Sequence, residues 1–330
     1  MTREHVLNVL QKSQNQFVSG ESLAAQLRIS RTAVWKAVEQ LRGEGYPIVS
    51  VPRRGHMLPS GADVLSAEGI RRYLKHPEIE VRFFPVISST NTVLKQLAAE
   101  NAPAGLALVA GEQTSGRGRM GRSFYSPAGS GLYLSLLLRP DLEPAKAVMM
   151  TACAAVSVAE AIETLTDVRL GIKWVNDLFL RGKKVCGILT EAGLDCEAGR
   201  MSYVVIGVGI NTRIPAENFP EDIRETAGSV FGETSVPDLR NRLAALVLDN
   251  LVAWSADPGS VSLFENYRRR SLALGRPIRI LAPGRDPVQA EVLDIDPDYS
   301  LKVRLEDGSI QHLCSGEISI RYQSSESFPR

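Results

Sequence analysis

The first 58 residues alternate between apolar stripes and short polar breaks. From Val6 to Leu41 the apolar positions recur three or four residues apart in three blocks, which is the spacing of amphipathic helices. Ser19 and Ser30 precede the second and third blocks, and a serine at a helix start accepts hydrogen bonds from the first turn. Residues 46–58 then alternate and turn at residues 53–55, Arg-Arg-Gly. This pattern predicts three helices followed by a two-stranded wing.

Residues from about 63 to 270 contain both period-two and helical patterns. Several predicted strands follow one another without an intervening helix, which favours an α+β fold with a mixed or antiparallel sheet. The predicted strands are LALVAGEQT, GLYLSLLLRP, RLGIKWVND, KVCGILTEAG and YVVIGVGINT, and the predicted helices cover Asn91–Glu100, Ala145–Thr164 and Val236–Ala256.

The last part of the chain, residues 274–322, consists of short alternating segments separated by Gly, Pro and Asp turns. Such a pattern predicts a small β-barrel of about fifty residues. Pro59–Gly69 is typical of a linker in which the next helix begins. We therefore expect three domains: a helical head with a wing over residues 1–60, a central domain over 63–272 and a C-terminal β-domain over 273–330.

Charge separates the head from the rest of the chain. The whole protein carries a formal charge of +1, whereas residues 1–60 hold eight Lys or Arg and four Asp or Glu, a local +4. A basic head on a neutral protein suggests its own polyanionic partner, such as DNA. The first twenty residues are polar, and the apolar segment Ala147–Ile162 is short and broken by Glu160. We therefore expect a cytoplasmic protein with no membrane partner.

The stretch Gly111–Pro127, GEQTSGRGRMGRSFYSP, combines four glycines with three arginines. Glycines let backbone N–H groups turn inward as an anion-binding nest, and arginines add donors that match phosphate or carboxylate. Its place between two predicted strands favours a ligand loop. The alternatives are a solvated surface loop or a nucleic-acid segment of the RGG type.

A second group of polar residues lies in IKWVNDLFLRGKKVCGIL. A hairpin turning at Arg181-Gly182 brings Lys173, Asn176 and Asp177 near Lys183 and Lys184. A carboxylate there could hold Mg²⁺ beside substrate phosphates, and a lysine could neutralise a transferring group. An ordinary surface hairpin is the alternative.

Five motifs in this order resemble the biotin–protein ligases: SSTN (residues 88–91), QTSGRGRMGRSFYSP, KWVND with KKVCGIL, GVGINT and GEISIR (residues 316–321). The resemblance covers residues from about 83 to 322. With its helix-turn-helix head, the chain resembles the bifunctional form, a biotin ligase and biotin-operon repressor in one polypeptide. The resemblance implies a class II synthetase-like central domain and an SH3-like C-terminal barrel.

The resemblance also implies a reaction and its partners. Biotin and ATP, with Mg²⁺, would give biotinyl-5′-AMP, and a lysine of the biotin carboxyl carrier protein of acetyl-CoA carboxylase would then take the biotin. Biotinyl-AMP would act as corepressor, by ordering loops 111–129 and roughly 212–224 and favouring a homodimer formed by edge-to-edge pairing of the central sheets. That dimer would bind operator DNA of biotin biosynthesis genes.

Site residues follow from the same motifs. Lys184 and Arg119 match catalytic positions, and Asp177 matches a Mg²⁺ ligand. Positions that match biotin contacts are Ser89, Thr90, Asn91, Gln113, Gly116, Arg117, Gly118, Arg119, Lys184, Gly187, Gly207 and Gly209. Positions that match nucleotide contacts are Arg122, Phe124, Lys173, Asn176, Asp177, Asn211, Glu317 and Arg321.

Three positions depart from the family pattern. Phe124 stands where tryptophan is common, Met120 where a basic residue is common, and Val175 where proline is common. Phenylalanine offers a smaller π face than tryptophan, and methionine removes one charge from the loop. These departures affect nucleotide affinity more than activity.

In the head, the residues expected to contact DNA lie on the third helix and at the wing tip, and Trp35 is expected in the core. The DNA-contact residues are Ser30, Arg31, Thr32, Lys36, Arg53 and Arg54. A protein-interaction module is the alternative for this head. For the whole chain, the alternatives are a ligase for lipoate or octanoate and a biotin-sensing DNA-binding regulator without catalysis.

Overall fold

The computed structural model describes residues 2–43, 45–59, 63–195, 197, 199–232, 238–281, 286–314 and 319–322, the last four by their backbone. It divides into two compact units. The first contains residues 1–73 and 233–242, and the second contains residues 74–232 and 243–330.

The first unit begins with the three predicted helices and the wing. The helices are α1 (Thr2–Lys12), α2 (Gly20–Leu27) and α3 (Arg31–Gly43), and a short α4 (Ala67–Arg71) follows the wing strands β1 (Val49–Val51) and β2 (Gly55–Met57). The predicted caps are confirmed, because the Ser19 and Ser30 hydroxyls accept backbone N–H bonds at 3.0 and 3.1 Å. The wing strands pair antiparallel.

The wing turn requires a glycine. Gly55 has φ +104°, and a Cβ there would lie 2.1 Å from the carbonyl oxygen of Val18. The stripes of α1, α2 and α3 form one core with the residues around Tyr46. Trp35 was expected in this core but lies outside it: its side chain is 58% exposed, next to the buried Val34. One residue advances a helix by about 100°, which moves position 35 off the buried stripe.

A seven-stranded mixed sheet forms the centre of the second unit. In spatial order its strands are β3, β4, β5, β9, β8, β7 and β6. Only the β3–β4 pair is parallel, and the others are antiparallel. The bounds are β3 Glu80–Phe84, β4 Leu106–Ala110, β5 Gly131–Leu138, β6 Gly171–Lys173, β7 Asp177–Leu180, β8 Lys183–Asp195 and β9 Arg200–Asn211.

Helices cover this sheet. Helix α5 (Thr90–Ala99) packs on β4, β5 and β9, and α6 (Ala147–Leu165) packs on β7, β8 and β9. Helix α7 (Glu221–Arg224) is short, α8 (Leu239–Ser255) begins in the first unit and continues in the second, and α9 (Val261–Arg270) packs on α6. By length and composition α6 could cross a membrane, but most of it is buried within the unit, as in the core helix of a globular domain.

The C-terminal part is a five-stranded antiparallel sheet with the spatial order β13, β12, β11, β10, β14. It packs against the larger sheet through buried aromatic residues: the indole N–H of Trp174 donates to the carbonyl oxygen of Tyr299 at 2.8 Å, and the Tyr299 ring meets Tyr267 edge-on. The bounds are β10 Pro277–Leu281, β11 Val288–Ile295, β12 Leu301–Leu305, β13 Ile310–Leu313 and β14 Ser319–Tyr322.

Some elements differ from the sequence prediction. The expected strand RLGIKWVND is interrupted: β6 ends at Lys173, the chain turns over residues 174–176, and β7 begins at Asp177, which pairs with Lys173. Strand β3 and helix α9 were not predicted. The start of the expected helix Val236–Ala256 lies outside the described residues, and α8 begins at Leu239.

Candidate active site

A cavity of about 190 Å³ opens in the second unit where the glycine–arginine loop meets strands β8 and β9. The residues that line it come from the start of α5, the loop before β5, and strands β5 to β9. They are Ser89, Thr90, Asn91, Gln113, Arg117, Gly118, Arg119, Met120, Arg122, Ser123, Phe124, Leu134, Lys173, Trp174, Asn176, Asp177, Lys184, Gly187, Ile188, Leu189, Gly207, Val208 and Gly209.

One end of the cavity is lined by neutral amides and hydroxyls, and we call it the amide end. Ser89 caps α5, its hydroxyl accepting from the N–H of Thr92 at 3.4 Å. The Thr90 N–H donates to Gln113 Oε1 at 2.9 Å, and the Gln113 amide donates to the Ser126 hydroxyl at 3.0 Å. These hydrogen bonds fix the side chains that face the cavity before any ligand binds.

Ser135 holds the amide end together from below, although no motif pointed to it. The residue is fully buried on β5, and its hydroxyl lies 2.7 Å from Thr90 Oγ1 and 2.6 Å from Asn91 Oδ1. The available signal was a lone serine in the apolar strand GLYLSLLL. A buried hydroxyl needs a hydrogen-bond partner, so such a serine predicts a polar neighbour across the core.

Glycines in β9 make room for the side chains above them. A Cβ on Gly207 would lie 2.0 Å from Asn91 Oδ1, and one on Gly209 would lie 2.5 Å from the Phe124 ring. Gly187 on β8 is the cross-strand partner of Gly209, and a Cβ there would lie 3.1 Å from the same ring. Side chains two residues apart lie on one face of a strand, so Asn91 and Phe124 rest side by side on the sheet.

The glycine–arginine loop folds back on itself over the cavity. The Gly118 N–H donates to the carbonyl oxygen of Arg122 at 2.7 Å, and the Phe124 N–H donates to that of Gly116 at 2.9 Å. Met120 sits at φ +57° in the tight turn between them. Gly116 does not line the cavity: a Cβ there would lie 2.4 Å from the carbonyl oxygen of Phe124, so this glycine permits the fold of the loop.

A chain of polar contacts crosses the other end of the cavity, which we call the cationic end. Arg119 donates to Asn176 Oδ1 at 3.0 Å, and Asn176 donates to Asp177 Oδ1 at 3.0 Å. Lys184 Nζ lies 2.8 Å from the same Asp177 oxygen. Burial lowers the pKa of Arg119, and the nearby Asp177 carboxylate partly opposes that shift.

The cationic end is suited to a polyanion. The cationic residues that line the cavity are Arg117, Arg119, Arg122, Lys173 and Lys184. Asp177 is the one carboxylate among the described lining residues. Such a set of donors binds adjacent phosphate or carboxylate groups and stabilises charge on a phosphoryl group under transfer.

Sixteen of the twenty residues proposed for biotin, nucleotide or catalysis line this cavity. Gly116 shapes the loop, as described above. Asn211 lies at the end of β9, where its amide donates to the carbonyl oxygen of Gly228 at 3.0 Å. Arg321 lies in β14, paired with Arg279 of the C-terminal sheet, and Glu317 lies outside the described residues. Besides Met120, sequence reasoning missed the lining residues Ser123, Leu134, Trp174, Ile188, Leu189 and Val208.

The head carries a separate basic surface. All six residues proposed for DNA contact are exposed, on the first turns of α3 and at the wing tip. Arg54 at that tip also lies over the Phe17 ring, 4.3 Å from its centroid. Trp35 adds an exposed aromatic ring to the same helix.

Comparison with known families matches three parts of the chain. Residues 83–211 match the biotin/lipoate A/B protein ligase family. Residues 2–57 match a helix-turn-helix (HTH) domain, and residues 273–321 match the biotin protein ligase C-terminal domain.

Similar proteins cover most of the chain. The bifunctional ligase/repressor BirA of Escherichia coli is 32% identical over 309 residues, which is 93% of this chain and 94% of that protein. BirA of Bacillus subtilis is 40% identical over 230 residues, 69% of this chain and 70% of that protein. A structure of biotin protein ligase from Aquifex aeolicus with biotin and ATP superposes with a TM-score of 0.60 at 26% identity, covering 74% of this chain and 99% of that one. The chain therefore belongs to the biotin–protein ligase family, in the form that carries an N-terminal helix-turn-helix domain.

Proposed function

We propose that this protein is a biotin–protein ligase and a DNA-binding repressor in one chain. It activates biotin with ATP and transfers it to a lysine of the biotin carboxyl carrier protein of acetyl-CoA carboxylase. The observation that carries the proposal is one cavity with a neutral amide end beside a cationic end. A neutral ring system and a triphosphate need those two environments next to each other.

The first step joins two anions. A carboxylate oxygen of biotin attacks the α-phosphorus of ATP, the bond to the β-phosphate oxygen breaks, and pyrophosphate leaves. Thr90, Asn91 and Gln113 hold the neutral head of biotin, while Arg117 and Arg119 meet its carboxylate. Cations that gather both anions lower the repulsion between them and stabilise the transferring phosphoryl group.

Lys184 is the catalytic lysine in this proposal. Its ammonium group is 2.8 Å from Asp177, so it is held at the cationic end instead of extending into water. There it neutralises charge on the acyl-phosphate as the new bond forms. In the second step the ε-amine of the acceptor lysine attacks the acyl carbon, and AMP leaves.

The nucleotide occupies the cationic end. Lys173, Asn176, Asp177 and Arg122 contact its phosphates and sugar, and the Phe124 ring contacts the adenine. Asn211, Glu317 and Arg321 are proposed to complete the nucleotide site. The glycines that line the cavity, Gly118, Gly187, Gly207 and Gly209, let the backbone approach biotin and its activated carboxyl group, and Gly116 contributes by permitting the fold of the loop.

Among its described lining residues the site offers one carboxylate for Mg²⁺ and leaves the other ligands to substrate phosphates and water. The described residues contain no group of three or more His, Cys, Asp or Glu side chains that could form an all-protein cage. Mg²⁺ is commonly bound by one or two carboxylates together with substrate phosphates and water. Asp177 supplies such a carboxylate, so we propose that it holds the ion, which would neutralise phosphate charge when ATP is present.

We propose three domains, residues 1–60, 63–272 and 273–330, of which the central one is class II synthetase-like and the last is an SH3-like barrel. The head binds operator DNA through Ser30, Arg31, Thr32, Lys36, Arg53 and Arg54. A homodimer would present two such heads. Within the described residues no strand pairs with the outer edge of β8 beyond Gly187, so that edge is available for pairing with a second copy.

In this proposal biotinyl-AMP is the corepressor and acts in the cytoplasm by ordering loops 111–129 and 212–224 over the cavity. The segment that directly follows the second loop adjoins the catalytic lysine, since the Lys184 N–H donates to the carbonyl oxygen of Thr226 and the Gly228 N–H donates to that of Lys184. Ligand-dependent order at such a segment would shift the monomer–dimer balance.

The deciding experiment measures mass addition to a purified carrier domain by the full chain. ATP-dependent addition of the mass of biotin supports the proposal. Addition with lipoate or octanoate in place of biotin would assign the chain to the other branch of its family. Binding of biotin without any mass addition to the carrier domain would identify the chain as a non-catalytic biotin sensor.

A further inference from the structure

The Asn91 carboxamide has a hydrogen-bond partner for each of its polar atoms. The residue is 4% exposed. Its Oδ1 accepts from the Ser135 hydroxyl at 2.6 Å. Its Nδ2 donates to the carbonyl oxygen of Leu189 at 3.1 Å and to Glu191 Oε2 at 3.0 Å. Because both N–H groups are engaged, the side chain keeps one fixed group for the cavity, the second lone pair of Oδ1.

The acceptors decide which way this amide points. A serine hydroxyl both donates and accepts, so Ser135 is compatible with either orientation of the Asn91 side chain. A carbonyl and a carboxylate only accept, so the NH₂ group must face Leu189 and Glu191. The carboxylate bond is charge-assisted and is therefore the stronger of the two.

Glu191 is itself held in place from the same helix as Asn91. Lys95 follows Asn91 by one turn of α5, and its Nζ donates to Glu191 Oε1 at 2.6 Å. The two carboxylate oxygens thus have separate partners, Lys95 and Asn91. Glu191 does not line the cavity, and it lies on the part of β8 whose outer edge has no strand partner in the described chain.

We propose that Glu191 is a positioning residue for biotin binding, which acts by fixing the orientation of the Asn91 carboxamide. The inference rests on the proposed function, because it takes the amide end as the site of the biotin head. A flipped Asn91 would present its NH₂ group where the native orientation presents Oδ1, so biotin would meet a donor in place of an acceptor. Biotin affinity would fall while the nucleotide end stays intact.

The test compares the full-length wild type with Glu191→Ala, Glu191→Gln, Lys95→Met and the double variant Glu191→Gln/Lys95→Met. Biotin-dependent release of pyrophosphate from ATP gives KM for biotin, KM for ATP and kcat for each. Glutamine has a single acceptor oxygen, so in Glu191→Gln the donors of Lys95 and Asn91 compete for it. Removing the lysine donor frees that oxygen for Asn91.

We expect Glu191→Ala and Glu191→Gln to raise KM for biotin about tenfold, with kcat and KM for ATP within about threefold of wild type. The double variant should recover to within about threefold of Lys95→Met. A biotin KM unchanged in Glu191→Ala, a parallel rise in the ATP KM, or a double variant no better than Glu191→Gln would each overturn the proposal. Wild-type turnover judges the proposed function separately: a wild type without biotin-dependent release would overturn both.

Discussion

Two glycines on one strand, Gly207 and Gly209, give the sharpest test of how the cavity is divided. A methyl group at Gly207 would lie 2.0 Å from Asn91 Oδ1, whereas a Cβ atom essentially never lies within 3.0 Å of such an atom. The Asn91 carboxamide must therefore retreat by about 1 Å. A methyl group at Gly209 meets the Phe124 ring at 2.5 Å instead, so the ring must move.

The side chain that each methyl group displaces, Asn91 or Phe124, determines how much each KM rises. A retreat of Asn91 stretches or breaks its bonds to Ser135 and Glu191, and loss of one bond from a buried amide costs about 1–3 kcal/mol. Gly207→Ala should thus raise KM for biotin by about five- to 150-fold. Displacing Phe124 removes an aromatic contact worth about 0.5–1.5 kcal/mol, so Gly209→Ala should raise KM for ATP by about two- to twelvefold, and by a larger factor than KM for biotin.

The assay is steady-state release of pyrophosphate, with biotin and ATP each varied at saturation of the other. Gly43→Ala is the matched control, because a Cβ there meets no atom within 4 Å and its backbone conformation suits any residue. Circular dichroism and thermal unfolding verify that each variant is folded. If Gly207→Ala and Gly209→Ala raised both KM values by the same factor, the division into amide and cationic ends would be wrong.

Three further predictions concern the catalytic lysine, the thiols and the DNA surface. Lys184→Ala should lower the rate of pyrophosphate release about a hundredfold or more, while the affinity for biotin in calorimetry stays within a few-fold of wild type. Lys183 is the exposed neighbour outside the cavity, so Lys183→Ala should leave both the rate and the affinity unchanged. Burial raises the pKa of the Cys153 thiol from 9.0 to about 12, so native protein at pH 8 should be alkylated at the exposed Cys314 and not at Cys153 by site-resolved mass spectrometry. Equal alkylation of Cys153 and Cys314 at pH 8 would contradict the burial of Cys153. Because the folded-state pKa of Cys153 is raised, the stability that its buried neutral thiol contributes is complete below pH 9 and is lost as the pH rises toward 12. Trp35→Ala should weaken binding to a DNA duplex selected from a random pool about tenfold, because an exposed ring on the helix that reads the bases contacts thymine methyl groups. The loss of affinity should be smaller on the same duplex with uracil in place of thymine. An equal loss on the two duplexes would exclude that contact.

The sequence predicted best what a local pattern encodes. Helical stripes and serine caps located α2 and α3, and the glycine–arginine loop with the KWVND hairpin supplied most of the cavity lining. Trp35 was misplaced because its neighbours Val34 and Val38 are apolar, although one step along a helix turns a side chain away from the stripe. Strand β3 was missed although Glu80 and Arg82 alternate with apolar residues, because five residues are too few to distinguish a strand from a loop.

What the sequence could not encode locally is the register of three strands. Gly207 on β9 is the cross-strand partner of Ser135 on one side and of Leu189 on the other. The Asn91 carboxamide rests over that glycine and bonds to both neighbours, at separations of 44 and 98 residues along the chain. A slip of β9 by one residue would place Ile206 or Val208 under the amide and point every side chain of the strand to the opposite face. The amide end is thus a product of strand pairing, which is why its motif residues were predictable one by one while Ser135 and Glu191, which hold them in position, were not.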